Sequence, residues 1–327
     1  MISYKNIFKL LGKLADNNIV IPLYHTVSNT PSEFIQSIYS VKSEKEFRDD
    51  LDFFQSNFEI VDAQTLLNCT KQNPSKPLLH LTFDDGLREI ADVVAPILRE
   101  KGIPATFFIT TQFVGNQEFF YRFKASYLNI KLNSSNLQAQ QKAHKILEDN
   151  HIQGTTLRDK LFNINYLNQN LLDKIAESIH LSFAEILASQ KPFLEKEQVQ
   201  QLALQGFNIG AHSINHPNYH DLSLNEQVLE TEQSMQTIID WVNPPVRFFA
   251  FPYSDIGVSR AFFDNIYRPD GIIDLSFGTS GIKKDQINRN IQRVPLENPF
   301  RPAQPRLLRE YSLAVAKRLL NKDLIKR

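Results

Sequence analysis

One event recurs along this chain and limits its fold more than anything else: a short apolar run ends on a residue able to do chemistry. Ile19–Tyr24 runs into His25, and Leu78–Phe83 runs into Asp84 and Asp85. Phe207–Ile209 leads to His212, and Arg247–Phe251 leads to Pro252 and Tyr253. Runs of this length, bounded by turn signals, read as buried strands. Helical patterns fall between them. Over 43–56, Ser43 caps, Glu46 takes the capping-box position, and Phe47, Leu51 and Phe54 form an apolar stripe. A helix from about Arg88 to Lys101 closes at Gly102 and leads into a strand over 103–109. Glu195–Gln205 and Asn225–Trp241 are further helices. Strand–helix–strand units at short spacing favour a parallel sheet. In parallel α/β barrels the active site is built on the edge where the strands end. The reactive residues all choose that edge.

The chain has 327 residues, enough for one large α/β domain, and we expect a single catalytic domain over 1–327. Residues 125–195 differ in texture, being rich in Gln, Asn, Leu and Lys, and read as a helical insertion within it. Lys plus Arg balances Asp plus Glu at 36 each, which argues against a nucleic-acid binder. The lone cysteine, Cys69, rules out a disulfide framework within the chain. Lys5, Lys9 and Lys13 interrupt the apolar residues near the N-terminus, so no signal-peptide core is expected there. No run approaches the roughly 20 apolar residues of a membrane span. The expectation is a cytoplasmic protein. Residues 301–327 carry eight Lys or Arg against Glu310 and Asp323, with Leu307, Leu308, Tyr311, Val315, Leu319 and Leu320 at helical spacing. This basic C-terminal helix packs on its own domain, or it meets an anionic membrane or a lipid-linked substrate.

His212 and His216 stand four residues apart, a spacing that on a helical turn aims both imidazoles at one ion. Such an ion needs a third ligand, and Asp85 would supply it, with water completing an open catalytic site. The plainer reading makes His216 a surface residue ahead of Pro217. Adjacent carboxylates at a buried strand end repel unless cations compensate. A metal on Asp85 and a guanidinium near Asp84 would do so, and Arg247 is the candidate guanidinium. Taken alone, Asp84-Asp85-Gly86 reads more readily as a solvated turn with an aspartate capping the next helix.

Together, Thr82-Phe-Asp-Asp-Gly86, His212-Ser-Ile-Asn-His-Pro217 and Arg247-Phe-Phe-Ala-Phe-Pro-Tyr253 resemble, in order and distance, the motifs of the polysaccharide deacetylase family, carbohydrate esterase family four. The likeness extends to Gly102–Phe108 and to the lead-in from Phe193 to His212, covering roughly 19–125 and 190–297. It implies a distorted (β/α) barrel of about seven parallel strands. It implies a divalent metal, usually zinc, on Asp85, His212 and His216, with Asp84 as general base. Arg247 would orient Asp84. Pro252 and Tyr253 would line the acetyl site, the Tyr253 backbone N–H joining the metal at the oxyanion. The expected reaction is removal of N-acetyl groups from an amino-sugar glycan or a lipid-linked precursor. Alternatives are an O-acetyl esterase and a non-catalytic carbohydrate-binding homologue.

Two departures stand out. The third motif ends Pro252-Tyr253-Ser254 where the family usually has glycine, which puts the loop geometry in question. No histidine follows His220, so the family's C-terminal histidine motif is missing. One branch of the family instead resembles this chain in a first strand ending Tyr-His. His25, after Tyr24, is therefore the expected general acid. Asp274 is too weakly placed to be nominated as the family's later acidic residue.

Overall fold

The computed structural model describes residues 4–69 and 77–327; Met1–Ser3 of the basic N-terminal stretch lie outside the described residues. Eight short strands form the central sheet. They are β1 (Pro22–Tyr24), β2 (Leu81–Phe83), β3 (Ala105–Ile109), β4 (Asn208–Ala211), β5 (Phe248–Ala250), β6 (Leu275–Gly278), β7 (Asn290–Gln292) and β8 (Val294–Pro295). Their spatial order is β7-β6-β5-β4-β3-β2-β1-β8, and every neighbouring pair is parallel. The outermost strands, β7 and β8, are separated in the chain by Arg293 alone. One run, 290–295, therefore pairs with β6 at its start and with β1 at its end, and so closes the sheet. The result is a distorted (β/α) barrel with seven staves, as expected from the resemblance.

Side-chain alternation builds the two cores. On β3, Phe107 faces outward into the layer shared with the helices, while Phe108 faces the interior with Ile21, Phe248 and Phe277. Gly210 on β4 makes room for Phe108: a Cβ there would come within 2.5 Å of the ring. The first two strand runs are interrupted. Ile19–Val20 and Glu59–Ile60 each pair with Leu78–Leu79 in a separate three-stranded parallel sheet below the barrel. His80, at the break in the second run, turns inward to Val61 O (2.8 Å) and Thr106 Oγ1 (2.8 Å).

The helix over 44–57 forms with the expected capping box between Ser43 and Glu46. The helix after Asp85 begins more loosely, with a π-type segment over Ile90–Val94, before tightening over Ala95–Glu100. Pro96, which has no N–H to donate, follows the looser turns. Helices between Tyr121 and Gln190 gather around a second apolar cluster, which also takes in Phe34, Ile35 and Tyr39. The C-terminal helix, Ala303–Leu319, buries Leu307, Tyr311 and Ala314 against the barrel domain and the N-terminal helix Tyr4–Ala15. Its first N–H, on Ala303, is capped by the buried Asp50 carboxylate at 2.9 Å.

Candidate active site

The strand ends place the reactive residues on one rim. His25 follows β1, Asp84 and Asp85 follow β2, His212 follows β4, and Tyr253 lies three residues beyond β5. All five line one cleft of about 480 Å³.

Asp85, His212 and His216 converge. His212 Nε2 lies 3.3 Å and His216 Nε2 3.0 Å from Asp85 Oδ1. All three residues are buried. Asp85 Oδ1 nevertheless has no hydrogen-bond donor. His212 Nδ1 donates to Ala250 O at 2.8 Å, which fixes the ring and leaves Nε2 with a lone pair. Burial pushes His216 below its ordinary pKa, towards the neutral form that a metal requires. Burial alone would raise Asp85; His216 and His212 hold it well below the usual carboxylate range. An orphaned, charged oxygen facing two imidazole nitrogens fits a divalent cation, and these three residues could hold one.

The spacing of the two histidines works differently from the helical expectation. Residues 212–216 form a loop, with Ser213 at φ 66° and His216 at φ 56°. Ser213 Oγ accepts the His216 N–H (2.9 Å). Glu230, from the helix Leu224–Val242, takes the backbone N–H groups of Ile214 and Asn215 (2.8 and 3.1 Å) and so pins the loop from behind. Asp85 (φ 74°) and Tyr253 (φ 56°) are also left-handed. Non-glycine residues in that region cost about 1–3 kcal/mol each and cluster at functional sites.

Asp84 is held by Arg293, not by Arg247. The Arg293 guanidinium is bidentate, with Nη1–Oδ1 at 2.6 Å and Nη2–Oδ2 at 2.8 Å, and is fully buried. Burial would raise the Asp84 carboxyl, but Arg293, together with His212 and His25, outweighs it and keeps the group below its usual range. Arg247 enters β5 at its beginning, the barrel end opposite the site. There its backbone N–H donates to Asp274 (2.7 Å), which places Asp274 far from the chemistry too.

His25 pairs through Nδ1 with Glu297 Oε2 at 2.7 Å, and its ring stacks on Tyr39 with centroids 4.5 Å apart. Burial works against its charge, yet Glu297, with help from Asp85 and Asp84, raises it to about 9. Tyr39 in turn donates its hydroxyl to Asp85 Oδ2. Sequence reasoning did not find Arg293, Glu297, Tyr39 or Glu230. Glu297 obeys the same strand-end pattern as the others, following β8 by two residues.

The Pro252–Ser254 turn answers the question raised by its missing glycine. The Ser254 N–H donates to Pro252 O, and the left-handed residue is Tyr253, so serine at 254 is unstrained. Thr279 Oγ1 donates to Tyr253 O at 2.8 Å. Among the described residues nothing accepts the Tyr253 N–H, which leaves it free for a ligand. The Tyr253 ring meets His216 (4.7 Å) and its hydroxyl donates to Tyr121 (2.8 Å).

Residues 71–262 match the family model described as polysaccharide deacetylase. No curated protein matches the sequence significantly. The fold is similar to several solved structures at low identity. Streptococcus pyogenes deacetylase PplD in complex with acetate aligns with a TM-score of 0.57 at 14% identity, covering 90% of this chain and 97% of that one. IcaB from Ammonifex degensii aligns at 0.54 and 17% identity, covering 90% and 96%. A de-N-acetylase from Aggregatibacter actinomycetemcomitans aligns at 0.52 and 15%, covering 89% and 99%. With more than half of its length matched by the family model, this chain belongs to the polysaccharide deacetylase family.

Proposed function

We propose that the protein is a metal-dependent hydrolase that removes N-acetyl groups from an amino-sugar glycan or glycan precursor. Family membership supports a carbohydrate deacetylase. The observation that carries the finer reading is the pairing of opposites in one cleft: a carboxylate held charged, Asp84, and a histidine held protonated, His25. Groups whose pKa values are pushed apart divide as base and acid.

Asp85, His212 and His216 would hold the ion, and two imidazoles with one carboxylate suit zinc. When bound, the ion supplies Lewis acidity, polarising the acetyl carbonyl and acidifying water. Asp84 takes a proton from the attacking water as its oxygen bonds to the acetyl carbon. The Tyr253 N–H donates to the oxygen that gains charge. As the carbon–nitrogen bond breaks, His25 passes its proton to the departing amine, and acetate remains. Pro252, without an N–H, shapes the turn that presents this donor.

The protonated His25 favours an amide over an ester, because an amine is the poorer leaving group and needs the proton more. Incubation of the metal-loaded protein with matched N-acetyl and O-acetyl oligosaccharides tests this: acetate should come chiefly from the former. Equal or greater release from the latter would favour the esterase. Complete loss of a stoichiometric ion with saccharide binding retained would favour a binding homologue.

No helix among the described residues is long and apolar enough to cross a membrane. Leu10 and Leu14 on the N-terminal helix, and Leu319 and Leu320 at the end of the C-terminal one, stay exposed among lysines and arginines. That combination supports a peripheral contact with anionic lipid, which co-sedimentation with vesicles of anionic and of neutral lipid would test. A lipid-linked saccharide would suit such a surface.

A further inference from the structure

Two guanidiniums stand in the cleft wall with no carboxylate to answer them. Arg122 comes from the helix Tyr121–Asn133 and Arg158 from the helix Leu157–Asn163. Phe162 carries both. Its carbonyl accepts Arg122 Nη1, and its ring centroid lies 4.5 Å from the Arg158 guanidinium carbon. Arg122 also lies 5.3 Å from the Tyr121 ring centroid and 5.6 Å from that of Tyr253, and Arg158 donates to Ser37 O at 3.2 Å. Among the described residues neither forms an ion pair. Arg48, Arg268 and Arg306, away from the metal-binding residues, each reach a Glu.

The acids of the cleft are already engaged. Asp84 has Arg293, Asp85 accepts from Tyr39 and stands with His212 and His216 as a proposed ion ligand, and Glu297 has His25. Ring faces and backbone carbonyls thus hold two cations towards open space, and Arg122 is half-buried there. Withdrawing a charge from water without a counter-ion is unfavourable. Arg158 is exposed, so that cost falls on Arg122, which a neutral acetamido sugar would leave uncompensated.

We infer that this wall is an anion subsite for an oxyanion carried by the substrate, a phosphate or a glycan carboxylate. Guanidinium forks match both in planar, bidentate fashion. The inference deepens the deacetylase reading and rests on it for the position of the acetyl group. Arg122 leans on Tyr253, whose N–H faces the acetyl oxygen in that reading. The anion therefore belongs to the acetylated sugar or its immediate neighbour.

The test measures acetate release from three substrates that share one acetylated hexosamine: a neutral disaccharide, a hexosamine 1-phosphate and a uronate-containing disaccharide. At least one anionic substrate should exceed the neutral one in kcat/KM by about tenfold, as expected for charge-assisted contacts. Added salt should erode that preference. The stronger anionic substrate identifies the source as phosphate or carboxylate. Arg122→Gln and Arg158→Gln should each lower the ratio of anionic to neutral kcat/KM several-fold; within one variant the ratio cancels general damage. Equal use of all three substrates, or ratios unchanged in both variants, would overturn the subsite. If no substrate yields acetate, the deacetylase reading fails on its own. Calorimetry in chelator then decides the subsite, comparing hexosamine 1-phosphate with hexosamine. Phosphate-dependent binding that weakens in Arg122→Gln upholds it, and equal binding of the two sugars overturns it.

Discussion

Arg293 is the single residue between the two strands that close the barrel, and both ends of its guanidinium rest on Asp84, at 2.6 and 2.8 Å. Barrel closure and the charge on the proposed base are thus one feature. Arg293→Met should leave Asp84 buried and unpaired, so that it binds a proton and ceases to act as a base. We predict a fall in kcat/KM of roughly 100-fold or more, in line with the loss of a base. Arg247→Ala, at the far end of β5, should stay within a few-fold of wild type. Steady-state kinetics on the two variants checks the assignment, and the reverse order of damage would return the role to Arg247.

His25 should set the alkaline limb of the pH–rate profile. An acid works while protonated, so activity should hold below its pKa and fall as pH rises through about 9. Glu297→Gln removes the main charge that raises His25 and should move that limb to lower pH. His25→Ala should lower N-deacetylation by about 100-fold or more while the metal content stays intact. A limb unmoved in Glu297→Gln would separate His25 from proton transfer.

His80 offers a prediction about stability. Burial lowers its pKa to about 4, against 6.5 for an ordinary histidine, and both ring nitrogens are already bonded. A depressed pKa means that the unfolded chain binds the proton more tightly. The stability associated with neutral His80 is present above pH 6.5 and is lost as pH falls towards 4, amounting to about 3 kcal/mol. Denaturant unfolding at pH 7 and pH 4.5 should show this loss in wild type. It should be smaller in His80→Gln, whatever that variant's stability at pH 7.

Metal binding should be visible without turnover. An ion held by Asp85, His212 and His216 binds the folded chain, so chelation should lower Tm by several degrees. His216→Ala should abolish both the stoichiometric ion and that Tm shift. Elemental analysis and thermal unfolding report this together; an unchanged Tm with no bound ion in wild type would remove the centre.

Much of the site was legible because its residues follow strand ends, and strand ends are marked by apolar runs. His25, Asp84, Asp85 and His212, which line the cleft, could be placed on one rim that way, while their proposed roles came from the family resemblance. Partners arriving from elsewhere were not. Arg293 lies between strands of three and two residues, too short to show a period of two. Tyr39 belongs to an irregular segment whose importance comes from the apolar cluster it joins. The histidine pair was found for the wrong local reason, since a loop with two left-handed residues, not a helix, brings the rings together. The barrel's later strands were fainter, because Ser276 and Gly278 on β6 and Asn290 and Gln292 on β7 leave no unbroken apolar run to mark them.

The most direct test compares acetate release by wild type and Asp84→Asn on an acetylated amino-sugar oligomer, at matched metal content. Asparagine keeps the shape beside Arg293 but cannot take a proton. The account predicts release by wild type and a loss of about a hundredfold or more in the variant, the ion still bound. Equal release by the two proteins would contradict it.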